Sequence, residues 1–325
     1  MHHRRMLLAF AATAALLFTL GFVASRYDRP PATPGAWLAQ SGLEAKFLTV
    51  GGHRLRYVRA GSGPAVVLIH GFASSLYTWK DVIPLLAETH EVFALDLPGF
   101  GGSDRPGDLS FEVLPAAVLG LMDELGVARA ALVGNSMGGA VAAVVAAQWP
   151  DHVTALVLID AAGFNLDPGE APAMVRLATS ALGALIARLP FKRLAVERSL
   201  REVFQDDAHV TDERVAEYMH GLQVPGAFAS IRSLRLSLEE RDTIVRERLP
   251  RIQAPTLVIW GREDRWIPVA HADLFVEAIP GARKVVLEEC GHMPQVEMAV
   301  AVGKLLREFL TDPEDGAAGS TSARG

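Results

Sequence analysis

The chain has 325 residues, with 31 Lys and Arg against 37 Asp and Glu and a single cysteine, Cys290. That length holds one large domain or two ordinary ones with a sizeable core. Half of the residues are hydrophobic and 21% charged, which excludes a disordered chain, and the lone cysteine excludes an intrachain disulfide framework. The net charge of −6 is unevenly spread, because the first thirty residues carry Arg4, Arg5, Arg26 and Arg29 against Asp28. The remainder is therefore more acidic than the total, and with no basic run it argues against a nucleic-acid partner.

After Arg4 and Arg5, the run Met6 to Ala24 carries no charge and only Thr13 and Thr19 as polar side chains. At about 1.5 Å per residue as a helix, it nearly matches a hydrocarbon core of ~30 Å. It also exceeds the apolar stretch of roughly 7–15 residues of a cleaved signal peptide. Residues 1–25 are thus expected to be a membrane anchor, with the arginine pair on the cytoplasmic side and the body beyond the membrane, periplasmic in a bacterium. Small residues at Val23-Ala24-Ser25 leave secretion after cleavage as the alternative. Residues 26–44, with Pro30, Pro31, Pro34, Gly35 and Gly42, read as a linker.

From 45 to 311 the chain reads as one α/β domain. Ala45 to Val50 and Arg54 to Arg59 around Gly51-Gly52 predict a hairpin. Ala65 to Ile69 is a continuous apolar run, as a strand buried on both faces requires; Glu91 to Leu95, Ala130 to Val133, Val153 to Ile159, Thr256 to Trp260 and Lys284 to Leu287 repeat the theme. Between and after them lie helical patterns over Trp79 to Glu88, Phe111 to Leu125, Met137 to Trp149, Val269 to Ala278 and Gln295 to Leu310. Such alternation predicts a mostly parallel sheet with helices on both faces.

The alternation breaks between Asp160 and Pro255, where only helical spacings occur: Met174 to Leu189, Arg201 to Phe204, Asp212 to Leu222 and Phe228 to Leu238. A helical cap over about residues 164–248, inserted between the sixth and seventh strands, is expected. Within it, Met174, Leu177, Leu182, Leu185, Ile186 and Leu189 form an apolar stripe that packs on the sheet edge or lines an acyl pocket. Residues 312–325 are polar and small and read as a disordered tail.

Chemistry concentrates at strand ends. Gly134-Asn135-Ser136-Met137-Gly138 has the form G-x-S-x-G between an apolar strand and a helix, so Ser136 is expected in a strained turn at a helix N-terminus, exposed as a nucleophile. A hydroxyl needs a base. Of ten histidines, His292 follows the last strand in Cys290-Gly291-His292, whereas His70 reads as a structural residue holding its loop. Two acids compete to orient the imidazole: Asp160 ends one strand and Asp264 follows another. Asp264 is favoured because its strand directly precedes the one that delivers His292, and Ser136, Asp264, His292 is the triad order of one hydrolase architecture. Backbone N–H groups of Met137 and Phe72 are placed to form an oxyanion hole. No metal constellation or dinucleotide fingerprint occurs, so neither metal nor cofactor is expected.

Together His70-Gly71-Phe72, Asp96-Leu97-Pro98-Gly99-Phe100-Gly101-Gly102-Ser103, Gly134 to Gly139, the Asp264 loop and Cys290-Gly291-His292 resemble the α/β-hydrolase superfamily. The resemblance implies that fold, and a structural turn at Asp96. Haloalkane dehalogenases and epoxide hydrolases of this superfamily carry an aspartate where this chain has Ser136. Lipases and esterases have similar elbows, as do the C–C bond hydrolases of aromatic-ring degradation. The latter tend to have a longer glycine-rich loop where this chain has Phe72-Ala73-Ser74, and a tryptophan where it has Met293. The expected activity is hydrolysis of a small-molecule carboxylic ester, lipid-derived in one version, through an acyl-enzyme. The alternatives are C–C bond hydrolysis, or another activity of the superfamily: amidase, acyltransferase or haloperoxidase.

Overall fold

The computed structural model describes residues 35–165, 192–236 and 238–312. The expected anchor, the Met174–Leu189 stripe and the tail from residue 313 lie outside them.

Eight strands form one sheet in the order β1-β2-β4-β3-β5-β6-β7-β8. They are β1 (Lys46–Val50), β2 (His53–Ala60), β3 (Ala65–Ile69), β4 (Glu91–Leu95), β5 (Ala130–Asn135), β6 (Val153–Ile159), β7 (Thr256–Gly261) and β8 (Arg283–Leu287). The β1–β2 hairpin joins β4 antiparallel through β2, and the strands from β4 through β8 pair in parallel. Side chains alternate between the faces of a strand, and the apolar runs split accordingly. Val67, Ile69, Leu132, Leu156, Leu158 and Val258 enter one buried cluster. Val66, Leu68, Val133, Val157, Ile159 and Ile259 enter the other. A run with no polar residue is what such a two-faced burial demands.

The helices that close these faces include α1 (Ala36–Gln40), α2 (Ile83–Leu86), α3 (Val113–Glu124) and α4 (Met137–Gln148). Residues Met137 to Ala147 of α4 are all buried, which explains why that helix is apolar on every side. Between β6 and β7 come α5 (Lys192–Val203), α6 (Asp212–Gln223), α7 (Ala227–Leu236) and α8 (Leu238–Arg248), the described part of the expected insertion. The chain then adds α9 (Ala270–Ala278), α10 (Pro294–Glu297) and α11 (Ala299–Thr311). Among the described residues, no helix is long and apolar enough to cross a membrane.

Three local expectations need correction. The helix predicted over Trp79 to Glu88 is a 3-10 turn, Leu76–Trp79, followed by the four-residue α2. Pro84 sits in the first turn of α2, the place where a residue without an N–H is tolerated. The helix predicted over Gln295 to Leu310 is interrupted at Met298, whose backbone leaves the helical region (φ −127°, ψ 44°). The predicted linker, 26–44, is not an extended tether at its end. Ala36–Gln40 is helical, Trp37 is buried edge-on against Tyr77, and the Gly35 N–H donates to Glu217 Oε1 on α6. An apolar indole overrides the Pro/Gly-rich context once a core surface is available to cover it.

Candidate active site

Among the described residues, four that are not glycine have a left-handed φ: Ala73, Ser136, Asp160 and Glu289. Each lies in a loop just beyond the C-terminal end of a strand, respectively β3, β5, β6 and β8. Such strain clusters at functional sites. Ser136 itself has φ 54° and ψ −120° and caps α4. The turn is held by its neighbours, because the Ser136 N–H donates to Ile159 O (2.9 Å) and its carbonyl accepts from Ala162 N (3.0 Å). Gly138 is required by close approach: a Cβ there would stand 2.2 Å from Ile69 O.

His292 and Asp264 meet. The imidazole Nδ1 lies 2.7 Å from Asp264 Oδ2, with both side chains buried. Asp264 Oδ1 accepts from the Trp266 (2.7 Å) and Ile267 (3.0 Å) N–H groups, which fixes the carboxylate. With Nδ1–H donating to Asp264, the Nε2 lone pair is left to accept a proton. Asn135, the residue before Ser136, donates from Nδ2 to His292 O (3.2 Å) and to Ile159 O (3.1 Å). The histidine loop is thereby tied to the elbow. Among the described residues, no hydrogen bond joins the Ser136 hydroxyl to the ring.

The two expected oxyanion donors also lie at the elbow. A Cβ on Gly71 would be 3.1 Å from that of Ser136, which brings the Gly71-Phe72 turn against the serine. Met137 is the first residue of α4, where an N–H has no partner within the helix. No hydrogen bond among the described residues occupies the N–H of Phe72 or of Met137.

His70 is structural, as expected. It is fully buried, its Nδ1 meets Gly71 O (2.7 Å), and its Nε2 accepts from Leu97 N (3.0 Å). Burial holds it below its ordinary pKa of 6.5, and His90, His209 and His220 are lowered by the same cause. A histidine kept neutral in the fold contributes stability that is present above 6.5 and is lost as pH falls from there toward the folded pKa. The urea midpoint, followed by tryptophan fluorescence, should therefore drop between about pH 7.5 and about pH 5.5. In His70→Gln the drop should be shallower, although that variant starts from a lower stability. Asp96 serves the turn next to His70, accepting from Leu76 N (2.7 Å), Gly102 N (2.6 Å) and Arg56 Nε (2.5 Å).

Other contacts around His292 carry no signal in the sequence. Trp266 stacks on the imidazole, with ring centroids 5.6 Å apart and planes 23° from parallel. The inserted helices grip the loop directly: the His292 N–H donates to Val203 O at the end of α5 (2.9 Å). Glu297 joins the two segments, accepting from Gly291 N (3.0 Å) and from Gln205 N (2.7 Å). Tyr218 on α6 places its hydroxyl 3.3 Å from Ser74 Oγ and 3.5 Å from Met293 Sδ. Cys290 is buried, and burial with the charge of Glu297 pushes its thiol pKa up, which suits a packing residue. Asp160, Asp264 and His292 are close enough to face one cation. However, Asp264 already engages two backbone N–H groups and the ring, so its lone pairs are largely spent on hydrogen bonds.

Comparison with known proteins agrees with this architecture. The profile of the alpha/beta hydrolase fold family matches residues 64–299. A dihydrolipoyllysine-residue acetyltransferase component of an acetoin cleaving system from Pseudomonas putida is 37% identical over 268 residues, covering 80% of this chain and 68% of the relative. A 2-hydroxy-6-oxo-6-phenylhexa-2,4-dienoate hydrolase from Comamonas testosteroni is 33% identical over 266 residues, covering 79% of this chain and 91% of the relative. Among solved structures, a membrane phospholipase A described as a bacterial virulence factor superposes with a TM-score of 0.71 at 27% identity, covering 95% of this chain and 97% of its own. With that match over most of the chain and a mostly parallel eight-stranded sheet beneath it, the chain belongs to the α/β-hydrolase fold family.

Proposed function

We propose that the chain is a serine hydrolase of carboxylic esters, with Ser136 as nucleophile, His292 as base and Asp264 as the acid that orients it. The observation that carries this reading is the 2.7 Å contact of His292 Nδ1 with Asp264 Oδ2, in a loop bonded to the Ser136 elbow. Ser136 Oγ attacks the acyl carbon while His292 Nε2 takes its proton, and the N–H groups of Phe72 and Met137 receive the negative charge that forms on oxygen. The protonated imidazole then gives its proton to the departing alcohol, leaving an acyl-enzyme. Water, deprotonated by His292, attacks that ester, and the acid leaves with Ser136 restored. No cofactor enters.

Apolar groups beside the site favour a hydrophobic acyl chain: Phe72 packs on Phe100, Trp266 stacks on His292, and Tyr218 reaches Ser74 and Met293. The likeness to a membrane phospholipase A supports the same substrate class. We further propose that residues 1–25 anchor the enzyme, with its catalytic domain outside the cytoplasm. Gly35 lies against Glu217 of α6, so an anchor at residues 1–25 would hold the α6 side near lipid and raise the effective substrate concentration there. A second reading, C–C bond hydrolysis, is favoured by the Comamonas relative and opposed by the short Phe72-Ala73-Ser74 segment and by Met293.

A chain-length series of p-nitrophenyl esters, set beside a vinylogous 1,5-diketone, tests the choice. We expect kcat/KM to rise from acetate toward octanoate, by up to about 0.8 kcal/mol for each CH₂ buried, and to exceed that for the diketone at every length. A diketone preferred over all esters would establish the second reading. A maximum at acetate would remove the acyl pocket.

A further inference from the structure

Asp160 ends β6 and is fully buried, with a left-handed φ of 43° that aspartate and asparagine tolerate better than most residues. Its Oδ1 accepts from the Gly261 N–H (3.1 Å), whereas its Oδ2 meets no hydrogen-bond donor. A buried, ionised oxygen without a donor is costly. The carboxyl nevertheless has a close neighbour: oxygens of Asp160 and Asp264 and a ring nitrogen of His292 lie within 4.8 Å of one another. Asp264 receives three donors, from Trp266 N, Ile267 N and the His292 ring, while a carboxylate offers about four lone-pair sites. One vacant acceptor site therefore stands near one oxygen that lacks a donor. A proton on Asp160 Oδ2 satisfies both.

We propose that Asp160 is a neutral carboxylic acid whose Oδ2–H donates to the Asp264 carboxylate, a positioning residue that extends the Ser136–His292–Asp264 chain by one member. This rests on the triad reading above. Two ionised carboxylates at this separation would repel in a buried site, so one keeps its proton. Burial first, then the charge of Asp264 and the hydrogen bond with it, hold Asp160 well above the usual carboxylate range, and Glu297 adds to the effect. The ionisable groups around the pair are His292 from the loop after β8, Glu297 from α10, and Cys290 and Glu263 beside them. A neutral Asp160 leaves one negative charge to balance the imidazolium formed in catalysis, and its proton holds the Asp264 oxygens in register with the ring.

Infrared difference spectra between wild type and Asp160→Asn at neutral pH read the protonation state directly. The wild type should show the C=O stretch of a protonated carboxyl that the variant lacks; loss of a carboxylate band instead would overturn the proposal. The acid limb of the kcat/KM profile reads His292 in the free enzyme. Asp160→Asn, whose amide donates to Asp264 and accepts from Gly261, should keep that limb in place and cost only a few-fold in rate. Asp160→Gly, which suits the same φ but supplies no donor, should raise the limb and cost roughly ten- to a hundred-fold. A limb lowered by Asp160→Asn would mean that Asp160 is ionised, and one unmoved in both variants would mean that it only packs. Either overturns the proposal. Normal labelling of Ser136 by a fluorophosphonate in these variants would show that the triad reading stands even if Asp160 does not.

Discussion

Ser136→Ala should lose on the order of 10⁶ in kcat on p-nitrophenyl esters, by analogy with nucleophile removal in other serine hydrolases, while circular dichroism and Tm stay close to wild type. Removing Oγ breaks no hydrogen bond among the described residues, and alanine carries the same Cβ into the φ 54° turn that serine already occupies. The oxyanion donors remain, so a trace of catalysis above the uncatalysed rate should persist. A purified variant that keeps more than about a hundredth of wild-type turnover would remove Ser136 from the mechanism, since a positioned nucleophile is worth far more than that.

Asp264→Asn should cost about 10⁴ in kcat with little change in fold, because an amide facing Nδ1 fixes the wrong imidazole tautomer. The Trp266 and Ile267 N–H groups can still be accepted by the remaining amide oxygen, so the loop is not expected to collapse. Asp160→Asn should be milder by at least about two orders of magnitude, since it changes the partner of Asp264 rather than of His292. Steady-state kinetics on both variants checks the ranking. The reverse order would place the triad acid at the end of β6.

Much of this was legible in the residues. Unbroken apolar runs before Gly134, Asp160 and Asp264 mark strands buried on both faces, and parallel pairing sends their far ends, with the chemistry, to one edge of the sheet. Ser136 was legible because glycines flank it in a strand-turn-helix context, and His292 because it follows the last strand. Other features depend on tertiary neighbours that no local pattern encodes. Asp160 and Asp264 read as rivals 104 positions apart, yet β6 pairs with β7 through Ile159 and Ile259, so both strand ends deliver a carboxyl to one place. The contact of His292 N with Val203 O and the bridge of Glu297 from Gly291 to Gln205 need the helical insertion in place before they exist. The Trp37 helix has no local signal, because the prolines and glycines around it mark a linker, and the surface that buries its indole is built largely by residues well downstream.

Whether the His292–Asp264 pair makes Ser136 nucleophilic is read most directly by peptide mass spectrometry after reaction with a fluorophosphonate. One adduct per chain is expected, on the peptide that contains Ser136, formed much more slowly in Asp264→Asn. No adduct on a folded, active enzyme, or an adduct on a different residue, would contradict it.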